Sequence, residues 1–125
     1  MKWILGFFIL IGITLYANDI ELEATIFNKI LIALSAKEHP KVFIYKNIES
    51  IERYPQNLIL TSTCKDADIV VVSTLKNLPA SCSKKLLLGT QYFQLRDKRV
   101  VGAFFWQKGR PNILFYKERL LNFRT

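Results

Sequence analysis

The chain has 125 residues, half of them hydrophobic and 22% charged, with a formal net charge of +8. That length fits one domain, and the apolar fraction excludes a disordered chain. A single histidine and two cysteines match neither a zinc site nor a redox CxxC pair.

Residues 1–17 come first. Lys2 supplies a positive charge, Trp3 to Leu15 is almost wholly apolar, and small Ala17 closes the run. That layout predicts a secretory signal peptide cleaved after Ala17. The alternative, a retained anchor, falls short of the roughly 20 residues a membrane-crossing helix needs. Export to the periplasm would remove nucleotide cofactors and nucleic acid from the partners. It would also favour a disulfide between Cys64 and Cys82, with two separate thiols as the alternative. The domain then runs over residues 18–125. Its charge is uneven: residues 18–83 sum to −1 and residues 84–125 to +8. A basic C-terminal third suits an anionic membrane surface or an acidic partner, or is a solvated surface and no more.

Asn18-Asp19 is a helix start, with Glu21 and Glu23 in the first turn. Leu22, Ile26, Ile30, Ala33 and Leu34 repeat at helical spacing, widened by Phe27 and Leu31. The helix should stop near Ala36, since His39-Pro40 forbids continuation. Lys41 to Tyr45 reads as a strand. Asn47 can cap a second helix to about Arg53. Leu58 to Leu60 is a second strand, Asp68 to Ser73 a third and Leu86 to Gly89 a fourth. The last two are continuous apolar runs, as strands buried on both faces are. A helical turn follows at Gln91 to Leu95. Arg99 to Trp106 and Asn112 to Tyr116 flank the turn signal Lys108-Gly109-Arg110-Pro111 and should pair as a hairpin. Glu118 to Phe123 begins a last helix.

This alternation predicts a single three-layer α/β domain, with a mainly parallel sheet, helices on both faces and a C-terminal antiparallel hairpin. Residues 62–67 are too few for a crossover helix. The second and third strands are therefore either a hairpin or not neighbours.

Chemistry is sparse. His39 stands beside Pro40 without an evident nucleophile or orienting carboxylate. Asp66 and Asp68 flank the start of a strand, whereas sites on parallel sheets gather at the carboxyl ends, so they read as turn residues. There is no glycine-rich phosphate loop. These observations predict neither an enzyme nor a cofactor or metal. Ser73, Thr74 and Thr90 are hydroxyls at strand ends, where a crevice could take a small ligand. Phe104, Phe105 and Trp106, beside Lys108 and Arg110, could suggest nucleic-acid stacking, but export argues against it and aromatics in a strand are more often core.

Ala24, Phe27 and Asn28 on the first helix, a buried strand ending in Ser73, and a closing hairpin turned at Gly109-Arg110 together resemble the YfiR-like family of periplasmic proteins. The likeness covers most of residues 20–123. The family's Trp-Pro after the first helix stands here as His39-Pro40, and its Cys-His at the buried strand as Ala67-Asp68. The resemblance implies an inhibitory binding protein that restrains a membrane-bound diguanylate cyclase, and so cyclic di-GMP signalling, from the periplasmic side. It also implies that the disulfide state could switch its grip. The partner would be the sensor part of a membrane signalling protein, met through Arg99, Phe105, Trp106, Lys108 and Arg110. A membrane surface and a second copy of the chain are further contacts to expect.

Overall fold

The computed structural model describes the backbone from Lys2 to Arg124 and the side chains from Asp19 to Leu121. Helix α1 spans Lys2–Ser35. The backbone is thus helical through Ala17, and Asn18-Asp19 does not start a helix. No proline precedes Pro40, so nothing interrupts the hydrogen-bond ladder. The signal-peptide reading rests on residues 1–17, whose side chains lie outside the described residues. Among the described residues, no helix is long and apolar enough to cross a membrane.

The inner face of α1 is Ala24, Phe27, Asn28, Leu31 and Leu34, with Ile30 beside it. The expected stripe is rotated. Leu22 is 46% exposed and Ala33 is exposed. The apolar band was broad enough to permit either face. Phe27 decides it, packing edge-on at 4.8 Å from the ring of Phe104. Ala36 ends the helix in the left-handed region at φ 59°. Its N–H reaches the Ile32 carbonyl at 2.9 Å, a C-terminal cap that usually favours glycine.

Strands β1 (Lys41–Tyr45), β2 (Ile59–Thr61), β3 (Ile69–Val72), β4 (Leu86–Gly89), β5 (Val100–Gln107) and β6 (Arg110–Phe115) form one sheet. Their spatial order is β2-β1-β3-β4-β5-β6. The first five are parallel and β6 runs antiparallel to β5. The two strands joined by residues 62–68 are therefore not neighbours, and the loop crosses β1 without a helix. Every residue of β3 and β4 is buried, as continuous apolar runs require.

Two apolar layers follow. On one face, Phe27, Leu31 and Leu34 of α1 and Ile51 of α2 (Glu49–Arg53) cover Val42, Ile69, Val71 and Leu88. Leu120 of α4 (Lys117–Arg124) joins them. On the other, Cys64, Cys82 and Leu95 cover Val70, Val72, Leu87 and Ala103. That face is closed by the crossing loop, by α3 (Ala80–Ser83), which the sequence did not signal, and by a 3-10 turn over Tyr92–Arg96. Each fully buried Leu, Ile, Val or Phe contributes about 1.5–3 kcal/mol. The result is the expected α/β domain, helical on both faces and closed by an antiparallel hairpin. Cys64 and Cys82 stand at disulfide distance, with Cα atoms 5.1 Å apart and a sequence separation of 18.

Asn47 does not cap α2. Its φ is +41°, outside the extended region a cap residue takes. Ile48 holds that place, and its N–H donates to the Glu52 carboxylate at 2.9 Å.

Candidate functional site: the rim at the carboxyl ends of the strands

The order β2-β1-β3 reverses the direction of winding at β1. The chain leaves β1 over one face through α2 and returns from β2 over the other. In open α/β sheets such a reversal opens a crevice beyond the carboxyl ends of the strands. Here it is a cleft of about 260 Å³ whose lining includes Asn47, Ser73, Thr90 and Gln91, with Glu23 and Trp106 at one side. Lys46 and Asn47 both have positive φ, at 66° and 41°, and turn the chain sharply off β1.

Ser73 and Thr90 line the crevice; Thr74 does not. The Ser73 hydroxyl donates to the Tyr45 carbonyl at 3.1 Å and also contacts the Lys46 carbonyl. It ties the end of β3 to the turn after β1. Thr90 donates to the Val72 carbonyl at 3.0 Å and so ties β4 to β3. Thr74 accepts from the Lys76 N–H at 3.2 Å within its own loop. The two rim hydroxyls thus use their protons on the protein and keep lone pairs for a donor ligand.

Gln94 braces the floor. Its Oε1 accepts from the N–H groups of Thr90 and Gln91 at 2.7 and 3.0 Å. A Cβ built on Gly89 would sit 2.8 Å from that oxygen, so only glycine admits this brace. The Tyr45 hydroxyl, on the other face of the sheet, lies 2.8 and 2.9 Å from the carbonyls of Lys76 and Asn77 and ties the end of β1 to the loop after β3. The sequence places Tyr45 at the crevice but does not single out Gln94. The signal available was a polar residue three positions after Gln91 at a helical turn.

The residues expected to meet a partner are only partly brought together. Arg99 lies at the start of β5, bound to Asp97 at 2.5 Å and to the Ser83 hydroxyl at 2.7 Å. Trp106, Lys108 and Arg110 lie at the opposite end, around the hairpin tip. Phe105 is buried, with the Tyr92 ring edge-on at 5.5 Å. Trp106 is 39% exposed, and its indole N–H donates to Glu23 at 2.6 Å. The hairpin also exposes Ile113, Phe115 and Tyr116.

His39 places Nδ1 3.0 Å from the Asn57 carbonyl, exposed to solvent. Asp66 accepts from the Thr63 hydroxyl at 3.2 Å. Asp68 accepts from the Lys41 N–H at 2.9 Å and pairs with Lys37 at 2.8 Å. Burial pushes the Asp68 carboxyl up, but the Lys37 and Lys41 hydrogen bonds and charges outweigh it, and it sits below the usual carboxylate range. Asp97 is lowered too, first by its bond to Arg99, against partial burial. Both are structural ties rather than reactive groups. Among the described residues, no three His, Cys, Asp or Glu side chains are placed to hold a metal ion.

Compared with family models, curated proteins and solved structures, the chain matches none.

Proposed function

We propose that this chain is an exported, non-enzymatic regulatory module that docks its β5–β6 hairpin onto the periplasmic sensor part of a membrane signalling protein, a diguanylate cyclase in the reading the family resemblance implies. The observation that carries this is the outer strand. Among the described residues β6 has no neighbour on its far side, and it exposes Ile113 (49%) and Phe115 (37%) on alternate positions, among Lys108, Arg110 and Lys117. An open edge gives main-chain hydrogen bonds to an added strand, and alternate side chains give specificity. The basic flanks favour an acidic partner surface. Cys64 and Cys82 pack in the same apolar cluster as Phe105 and Leu114 of the hairpin, which gives their redox state a route to the docking strand.

The test is capture from solubilised membranes with the wild-type chain and with Ile113→Lys. Recovery of a membrane sensor or cyclase by the first and not the second is expected, with altered cyclic di-GMP on deletion. Recovery of none, with cyclic di-GMP unchanged on deletion, defeats the proposal.

The crevice supports a second reading, a small-solute module using Asn47, Ser73 and Thr90 around the 260 Å³ cleft. A ligand there would raise the melting point in a thermal-shift screen of metabolites; a screen without any such rise counts against it.

A further inference from the structure

We infer that a second recess, next to the crevice, binds an organic ammonium ion. The recess has a volume of about 240 Å³ and lies between the Asp19–Glu23 turn in the middle of α1, the start of α2, and the end of β5 with the hairpin turn at Gly109. Asp19, Glu23, Glu49, Ser50 and Trp106 line it. It shares only Glu23 and Trp106 with the Ser73–Thr90 crevice and depends on neither reading above.

Its chemistry runs against the rest of the molecule. A chain of net charge +8 lines this recess with three carboxylates and, among the described residues, no cationic side chain. Lys108 and Arg110 of the nearby hairpin tip line a different recess, with Gln107 and Asn112. Arg53 takes part of the Glu49 charge at 3.3 Å. Asp19 and Glu23 have no ion pair among the described residues.

Two independent features point to a ligand rather than to a solvated acidic surface. The first is Ser50, which is 1% exposed, lines the recess and has a hydroxyl without any hydrogen-bond partner among the described residues. Buried hydroxyls are almost always bonded, and this one leaves its lone pairs and proton unused at the wall of the recess. The second is Trp106. Its indole N–H donates to the Glu23 carboxylate at 2.6 Å, which fixes the ring and pushes electron density into it. Phe104 holds it edge-on at 6.2 Å. A carboxylate-polarised indole beside further carboxylates suits a cation–π seat, and quaternary and primary ammonium groups are the ligands such a seat takes.

The experiment follows the two indole N–H signals, Trp3 and Trp106, in the 15N NMR spectrum of the full-length chain, assigned with Trp106→Phe. Choline and n-butylammonium are titrated separately, with sodium chloride matching the ionic strength. The uncharged choline isostere 3,3-dimethyl-1-butanol is the control. The expected result is a saturable shift of the Trp106 signal with one or both cations and none with the isostere. Which cation binds separates a quaternary from a primary ammonium ligand. Glu23→Gln keeps an acceptor for the indole and should weaken binding roughly tenfold. Ser50→Ala should weaken it less, and Glu118→Gln on α4 not at all. If Glu23→Gln loses its folded spectrum, Asp19→Asn at the exposed rim carries the same test. Absence of a saturable shift with both cations overturns the inference. So does an equal response to the isostere, or unchanged affinity in the carboxamide variants.

Discussion

Asn28 is 3% exposed in the middle of the apolar face of α1. Its Nδ2 donates to the Ala24 carbonyl at 2.9 Å, and its Oδ1 accepts from the Asn57 N–H at 3.0 Å. One side chain thus fixes the loop that feeds β2 against the helix. Asn28→Ala removes the acceptor and should cost about 1–3 kcal/mol, read as a lower urea midpoint with unchanged slope. Asp68 and Asp97 act at the same scale through charge. Their folded carboxyls lie below the usual range, while the unfolded chain titrates near 3.9. Their stabilisation is therefore complete above about pH 4 and fades as pH falls through the lowered folded values. Asp97→Asn should lower stability at pH 7 and flatten the acid limb of the stability profile. An acid limb as steep as that of the wild type would contradict the assignment.

At the scale of elements, the β5–β6 hairpin shows how one missing side chain shapes a neighbour. Gly102 faces Phe115 across the ladder, and a Cβ on Gly102 would fall 2.7 Å from the Leu114 carbonyl and inside the Phe115 ring. Gly102→Ala should therefore displace Phe115 and detach β6. Amide exchange should quicken from 110 to 115 while β1 and β3 stay protected. Elements of this kind were readable from sequence to different degrees. Lys41–Tyr45 and Leu86–Gly89 kept the bounds their residues implied, because β-branched, aromatic and leucine runs between breakers leave little choice. The rotation of α1 was not readable, since Phe104, which selects the buried face, lies far along the chain. Nor was α3, whose four residues carry too short a pattern. The crevice was legible from the rule that sites follow strand ends, and Ser73 and Thr90 came with it. The bonds of the Tyr45 hydroxyl to Lys76 and Asn77 were not legible, since they span a loop that only the fold brings together.

For the whole molecule, the winding reversal at β1 and the cysteine pair belong together. The loop that crosses β1 carries Cys64, and the segment leading to β4 carries Cys82. Closing that loop of 18 residues should stabilise the oxidised chain by about 3 kcal/mol relative to the reduced one in the chain-entropy model. Urea titrations with and without reductant measure it, and equal midpoints would show that the crosslink does not constrain the unfolded chain. The loop encloses all of β3, Ser73 and Thr74. The same enclosure has a mechanical meaning. A force applied at the two termini is carried past β3 by the sulfur bridge, so the strand bears no load. Single-molecule stretching of the oxidised protein should then yield about 60 Å less extension than the reduced protein, with β3 and the loop after it left as a closed ring in the extended chain.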